Sequence, residues 1–388
     1  MPNPEVVPEE TWKILLVEDD DTVRGQVREY LDGRQIAGRK LKISEYSSLE
    51  DALNVIAERK ADVIILDVYS GEAKVGGEMI GLEILEKIKK TGFVPVILYT
   101  ALPRGLEEEV GPFVRLVEKD VGSLGRIENE LKDLFSRNIP QVHRAIVTHF
   151  DRTLCAYMWE FVDEHWEEFS AFLDKPEFLR LIVQRLAKSF AREGVDKISS
   201  EIYGVTPAED VGIGKVHPAE YYIKPPIGSN PRFGDLRFRE IEGKREYLVV
   251  LWPSCDMVDE PPQVPKTRKV LCARAIPTQA CPKVTDWIAS DSNTKKEPVE
   301  RLVKNNQPRF HFLPGVWDIP NTIVDFQDLE HLPLDELKNC GCLGTIDSPF
   351  AESLGERFRW YMGRIGTPDL VVNDAMNAIK EQQDSPEQ

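Results

Sequence analysis

The chain has 388 residues, 41% hydrophobic and 30% charged, with a formal net charge of −17. That length fits two or three domains, and the acidic balance disfavours unassisted binding to a phosphate backbone. No apolar run approaches the roughly 18 residues of a membrane-spanning helix, and six cysteines in so long a chain form no disulfide framework.

The first residues, "MPNPEVVPEETW", are acidic and Pro-rich, unlike a signal peptide. Residues 1–11 read as a disordered tail, and the default compartment is the cytoplasm. From 12 to 138, short apolar runs alternate with amphipathic stretches. "WKILLV" is a buried strand. "DTVRGQVREYLDG" sets Val23, Val27, Tyr30 and Leu31 at helical spacing, with Gly33 as a stop and Asp20 or Asp21 as an N-cap. "LKISEYS" alternates as a strand does, and "SLEDALNVIAERK" reads as a helix capped by Ser48. "ADVIILDVY", "VPVILYTA" and "FVRLVEKD" are further strands, interleaved with helices at "GLEILEKIKKTG" and "SLGRIENELKDLFSRN". Five apolar strands alternating with helices predict an α/β domain: a flavodoxin-like, doubly wound parallel sheet. Residues 139–200 read as an all-α hairpin connector whose second helix ends at Gly194, with aromatic faces that fit packing on both domains or on a second copy of the chain. Residues 201–380, rich in Pro and Gly, read as a β-rich α+β domain with strands at "REYLVVLWP", "RKVLCARAIP", "RFHFLP" and "NTIVDFQDL" and a helix at "SPFAESLGERFRWYMGRIG". Residues 381–388 read as a second disordered tail.

In a parallel doubly wound sheet the carboxyl ends of the strands gather at one edge, where ligands bind. Here the first strand ends in Glu18 and Asp19, the third in Asp67, the fourth in Thr100 and Ala101, and the fifth in Lys119. Carboxylates brought together at that edge repel one another and call for a hard cation. Oxygen-only ligation with room for waters favours Mg²⁺. A central carboxylate beside such a metal can attack phosphorus, with a hydroxyl and an ammonium to hold the phosphoryl oxygens.

The pieces "ILLVEDD", "DVIILDV", "GLEILEKIK", "PVILYTA" and "LVEKD", in this order, resemble the receiver domain of two-component response regulators over residues 12–138. The resemblance implies that Asp67 is the phosphoacceptor and that Glu18, Asp19, Asp67 and the backbone carbonyl of Tyr69 hold Mg²⁺. It also implies that Thr100, Ala101 and Lys119 bind the phosphoryl group, and that a sensor histidine kinase is the donor. Three departures stand out: a Gly-rich insertion, "YSGEAKVGGEMIG", after Asp67; Leu116 where the family often has an aromatic; and Asp120 where a Pro commonly follows the Lys.

The C-terminal region resembles nothing as closely. Cys255, Cys272, Cys281, Cys340 and Cys342, with His217 and His311, lack the paired spacing of a zinc site. Cys255 beside Asp256 is a candidate reactive thiol. Arg357, Arg359 and Arg364 form a candidate basic helix face. The expected function is a regulator phosphorylated on Asp67, without nucleic-acid or membrane partners, acting through a downstream protein or a homodimer. The alternatives are a phosphate-sink receiver, as in a phage-defence phosphorelay, and an effector enzyme with a catalytic C-terminal domain.

Overall fold

A computed structural model of the chain describes residues 11–48, 61–69, 80–170, 175–190, 192–203, 216–261, 263–290, 292–365 and 370–383. It divides at Ile213–Gly214 into two units.

The first unit is built on a sheet of β1 (Thr11–Val17), β2 (Gln35–Ile36), β3 (Arg39–Tyr46), β4 (Val63–Asp67), β5 (Val96–Thr100) and β6 (Val114–Glu118). The spatial order is β2-β3-β1-β4-β5-β6. β3, β1, β4, β5 and β6 pair in parallel, which is the flavodoxin-like doubly wound arrangement. The sixth strand is new: β2 turns back on β3 through Ala37 and Gly38, both at positive φ. Two residues are too short a run for periodicity to reveal.

Strand side chains alternate between faces, so β1 supplies two cores. Trp12, Ile14 and Leu16 point to one side and Leu15 and Val17 to the other. Each such side chain, removed from water, contributes about 1.5–3 kcal/mol. Helices α1 (Asp21–Leu31), α2 (Ile80–Thr91) and α3 (Ser123–Ser136) accompany the sheet. Asp20 is the α1 N-cap, its Oδ1 accepting from the amides of Thr22 (2.7 Å) and Val23 (3.0 Å). Those bonds hold its carboxyl below the usual carboxylate range. The helix expected at residues 48–60 lies outside the described residues.

Asn138, in the left-handed region, ends α3, and Pro140 opens α4 (Ile139–Ala156). A π-helical turn (Tyr157–Val162) follows, then α5 (Trp166–Ser170), α6 (Pro176–Ser189) and α7 (Arg192–Tyr203). The helix expected to stop at Gly194 stops instead at Ser189, and Gly194 lies inside α7. A Cβ there would fall 1.8 Å from the Ser189 carbonyl oxygen, so this glycine serves close packing rather than termination. α4 is fastened to the sheet by Arg144. Its Nε donates to Asp62 Oδ1 (2.9 Å), its Nη2 to Asp62 Oδ2, and its Nη1 to the Thr11 carbonyl (3.2 Å).

The second unit holds a seven-stranded sheet: β7 (Tyr222–Ile223), β8 (Asp235–Ile241), β9 (Lys244–Val250), β10 (Lys269–Pro277), β11 (Phe310–Leu313), β12 (Thr322–Pro333) and β13 (Gly341–Ile346). The order is β11-β12-β10-β9-β8-β13-β7, antiparallel throughout. One face packs Leu236, Val249, Val324 and Phe326 against Leu354 and Tyr361 of a helix at Phe350–Gly363. The other buries Leu248, Val250, Met257 and Leu337. β13 escaped sequence reading because "GCLGTI" lacks β-branched density. Its Gly341 lies under the Phe238 ring, where a Cβ would come within 2.3 Å of the ring. Among the described residues no helix is long and apolar enough to cross a membrane.

Candidate functional site

β1 and β4 are neighbours in parallel register, with Val17 opposite Leu66. Their carboxyl ends therefore stop side by side. This is the switch point of the sheet, where helices depart to opposite faces and a crevice opens. Glu18 follows β1 directly and is 1% exposed. Its backbone is anchored by its amide to the Tyr46 carbonyl (3.1 Å) and by Arg24 Nη1 donating to its own carbonyl (2.7 Å). Asp19 is exposed beside it, and Asp67 is the last residue of β4. One carboxylate oxygen from each of Glu18, Asp19 and Asp67 lies within 4.8 Å of the others.

Lys119 reaches this cluster from the end of β6. Its amide donates to the Thr100 carbonyl (2.7 Å), which fixes where the side chain starts. Its Nζ then donates to Asp67 Oδ2 (2.8 Å) and Glu18 Oε1 (2.9 Å). It also lies 2.7 Å from Glu18 Oε2, an ion-pair contact without hydrogen-bond geometry. These acids converge on a cation that the chain supplies itself. The supply is incomplete. Burial first, and the Asp67 charge second, push the Glu18 carboxyl up to about 7 in spite of Lys119. Burial works to lower the Lys119 ammonium, but its bonds to Asp67 and Glu18 outweigh that and it is raised.

Thr100 is fully buried at the end of β5, its Oγ1 accepting from the Leu102 amide (3.2 Å); Ala101 next to it is exposed. The Tyr69 amide points at Asp67 Oδ1 (3.3 Å). Most of the Gly-rich insertion lies outside the described residues, but Gly81 at its end is a position that motif reading passed over. A Cβ there would sit 2.5 Å from the Asp67 carbonyl oxygen and 2.6 Å from Val68 Cα. The start of α2 therefore rests on the backbone of Asp67 itself, and only glycine fits.

Oxygen-only donors of this number suit a hard divalent cation that keeps some of its waters. The carboxyl that stays raised beside Lys119 marks a charge deficit that such an ion would meet. The residues fit Mg²⁺.

The candidates of the second unit do not assemble comparably. Among the described residues, the three carboxylates above are the group arranged to hold a metal, and the cysteines and histidines of the second unit form no such group. Cys255 is exposed, its thiol 3.7 Å from Asp256 Oδ1, so its neighbour is a carboxylate and not an imidazole. Burial pushes the Cys272 thiol up to about 12 and Cys342 to about 11, which keeps both protonated. Arg357 is no part of a basic outer face: its Nη2 donates to the carbonyls of Gln307 (2.9 Å) and Phe310 (2.8 Å).

Residues 14–105 match the response regulator receiver domain family. The transcriptional regulatory protein AfsQ1 of Streptomyces coelicolor is 29% identical over 98 residues, which is 25% of this chain and 39% of that protein. The chain thus spans well under half of the relative it matches. Among solved structures, a two-component transcriptional regulator AraC from Clostridium phytofermentans aligns at 15% identity and TM-score 0.25 over 33% of this chain and 97% of that one. The chemotaxis protein CheY4 of Vibrio cholerae aligns at 21% identity and TM-score 0.24, over 31% of this chain and 98% of that one.

Proposed function

We infer that this chain, whose residues 14–105 are a response regulator receiver domain, takes a phosphoryl group on Asp67 from the phosphohistidine of a sensor kinase. A carboxylate oxygen of Asp67 attacks phosphorus. The P–N bond breaks, its electron pair stays on the imidazole, and the imidazole takes a proton from solvent. Glu18, Asp19, Asp67 and the carbonyl of Tyr69 would hold Mg²⁺, which when bound neutralises charge on the phosphoryl oxygens. Lys119, already 2.8 Å from Asp67, pairs with the new phosphoryl group. Thr100 and Ala101, at the end of the neighbouring strand, offer a hydroxyl and a small side chain beside it. The modification adds about −1.5 to −2 charge, which draws Lys119 away from Glu18 and alters the packing around the sheet edge. The output is a protein–protein interaction or assembly carried by the rest of the chain.

The observation that carries this reading is the convergence of three carboxylates at the sheet's switch point, two of them on one ammonium. Acetyl phosphate with Mg²⁺ is expected to add one phosphate to the full chain. Asp67→Asn, or chelation of the metal, is expected to abolish the addition. Labelling that persists in Asp67→Asn sinks the assignment.

A further inference from the structure

We propose that the helices after the receiver sheet form a self-complementary surface on which a second copy of this chain docks. The observation is a concentration of exposed aromatic and aliphatic side chains in two oppositely charged segments. In the first, residues 157–170, Trp159 is 70% and Trp166 52% exposed. Tyr157, Phe161 and His165 stack along it, with ring centroids 5.4 and 4.7 Å apart. This segment carries Glu160, Asp163, Glu164, Glu167 and Glu168 and no Lys or Arg. The second, α6, leaves Leu179 63% and Val183 53% exposed, one turn apart. It carries Arg180, Arg185 and Lys188 against a single acid, Glu177.

Side chains on a helix follow one another at about 100°. On α6 the half-buried Phe178, Ile182 and Leu186 already form the stripe that faces its own unit. Leu179 and Val183 widen that stripe beyond what one neighbour covers. Exposed tryptophans ringed by charge are the usual anchors of an interface.

Charge selects the occupant. A chain of net charge −17 repels its own copies, so self-association needs a face that cancels charge locally. An isologous pair sets the acidic segment of each copy on α6 of the other and makes that cancellation twice. None of this depends on phosphoryl chemistry, so it stands or falls apart from the reading of Asp67.

The test is charge reversal in the full chain, read by sedimentation velocity. The wild-type chain is expected to dimerise, more weakly as salt rises. Arg180→Glu/Arg185→Glu and, separately, Glu160→Lys/Glu164→Lys/Glu167→Lys are each expected to weaken dimerisation at least tenfold. An equimolar mixture of the two variants is expected to restore it, since every contact then pairs opposite charges again; that restoration also shows that both variants fold. Trp159→Ala is expected to weaken the dimer without altering its salt dependence. A wild-type chain that stays monomeric at tens of micromolar overturns the proposal. So does a dimer indifferent to both reversals, or variants that fail to re-pair on mixing.

Discussion

At the ends of β1 and β4, Glu18 and Asp67 share one ammonium. In the second sheet, Asp235 has a full set of donors to itself. Its Oδ2 accepts from Arg237 Nε (3.1 Å) and Nη2 (2.9 Å) and from the Arg232 amide (3.0 Å), and its Oδ1 accepts from Thr345 (2.7 Å). Arg237 spends its other nitrogen on the carbonyls of Leu337 and Cys340. Both sites are buried acids with basic partners, and burial alone does not tell them apart. What differs is whether the partners suffice. Where they do, the group holds the fold together; where they fall short, as at the raised Glu18 carboxyl, buried negative charge is left without a full set of partners.

The largest effect is expected at Arg237. Arg237→Leu strands the Asp235 carboxylate and is expected to cost about 3–5 kcal/mol in chemical denaturation. Replacing both residues by apolar ones of similar volume is expected to cost far less. A smaller loss, about 1–3 kcal/mol, is expected for Gly81→Val, because a side chain there must displace the backbone of Asp67 or the start of α2. Acetyl phosphate labelling should slow in the same variant, whereas Arg237→Leu should leave labelling of the folded fraction intact.

A pH titration sharpens the contrast further. A carboxyl pushed up to about 7 favours the protonated folded form. In metal-free protein its contribution to stability is present below its ordinary value near 4.5 and is lost as pH rises through about 7. Mg²⁺ must displace that proton, so its affinity is expected to rise about tenfold from pH 6 to pH 8, read by calorimetry. Glu18→Gln should flatten the dependence.

The smallest effect is expected at His311, the second unit's exception. It is 2% exposed, neither ring nitrogen has a hydrogen-bond partner among the described residues, and burial pushes its imidazole down to about 3. A His depressed in this way destabilises the fold as pH falls from about 6.5 toward 3, since only the unfolded chain takes up the proton. His311→Phe should be neutral or stabilising by about 1 kcal/mol at pH 7. It should also widen the stable range on the acid side, read by thermal unfolding from pH 7 to pH 4.

The receiver sheet was legible because its strands are buried on both faces and read as unbroken apolar runs, "WKILLV", "DVIILD" and "PVILYT". Each is punctuated by a charged or hydroxyl residue at the edge where ligands gather. Glu18, Asp19, Asp67, Thr100 and Lys119 could all be named from that pattern. Three things could not. The bridging of two acids by Lys119 depends on the reach of a side chain across three strands. The need for glycine at 81 depends on how a helix lands on a strand from which an insertion separates it. Gly194 was misread because a glycine near a helix end looks like a stop, whether it terminates the helix or admits a neighbour's carbonyl. The second unit was less legible still. Its antiparallel strands mix short runs, bulges and glycines, as in β13, and its core is made by pairings remote in sequence, such as β8 with β13.

β4 is anchored at both ends. Asp67 terminates it, and Asp62, immediately before it, is gripped by Arg144 of α4 and by the Lys13 amide. Five residue steps of extended chain, about 17 Å, separate the two acids, and a strand held on both sides by parallel neighbours barely stretches. Whatever repositions the backbone at Asp67 along its axis pulls on the clasp at Asp62, and through it on the first of the helices that follow the sheet. Asp67 and the helical segment are joined by a taut tether rather than a loose hinge.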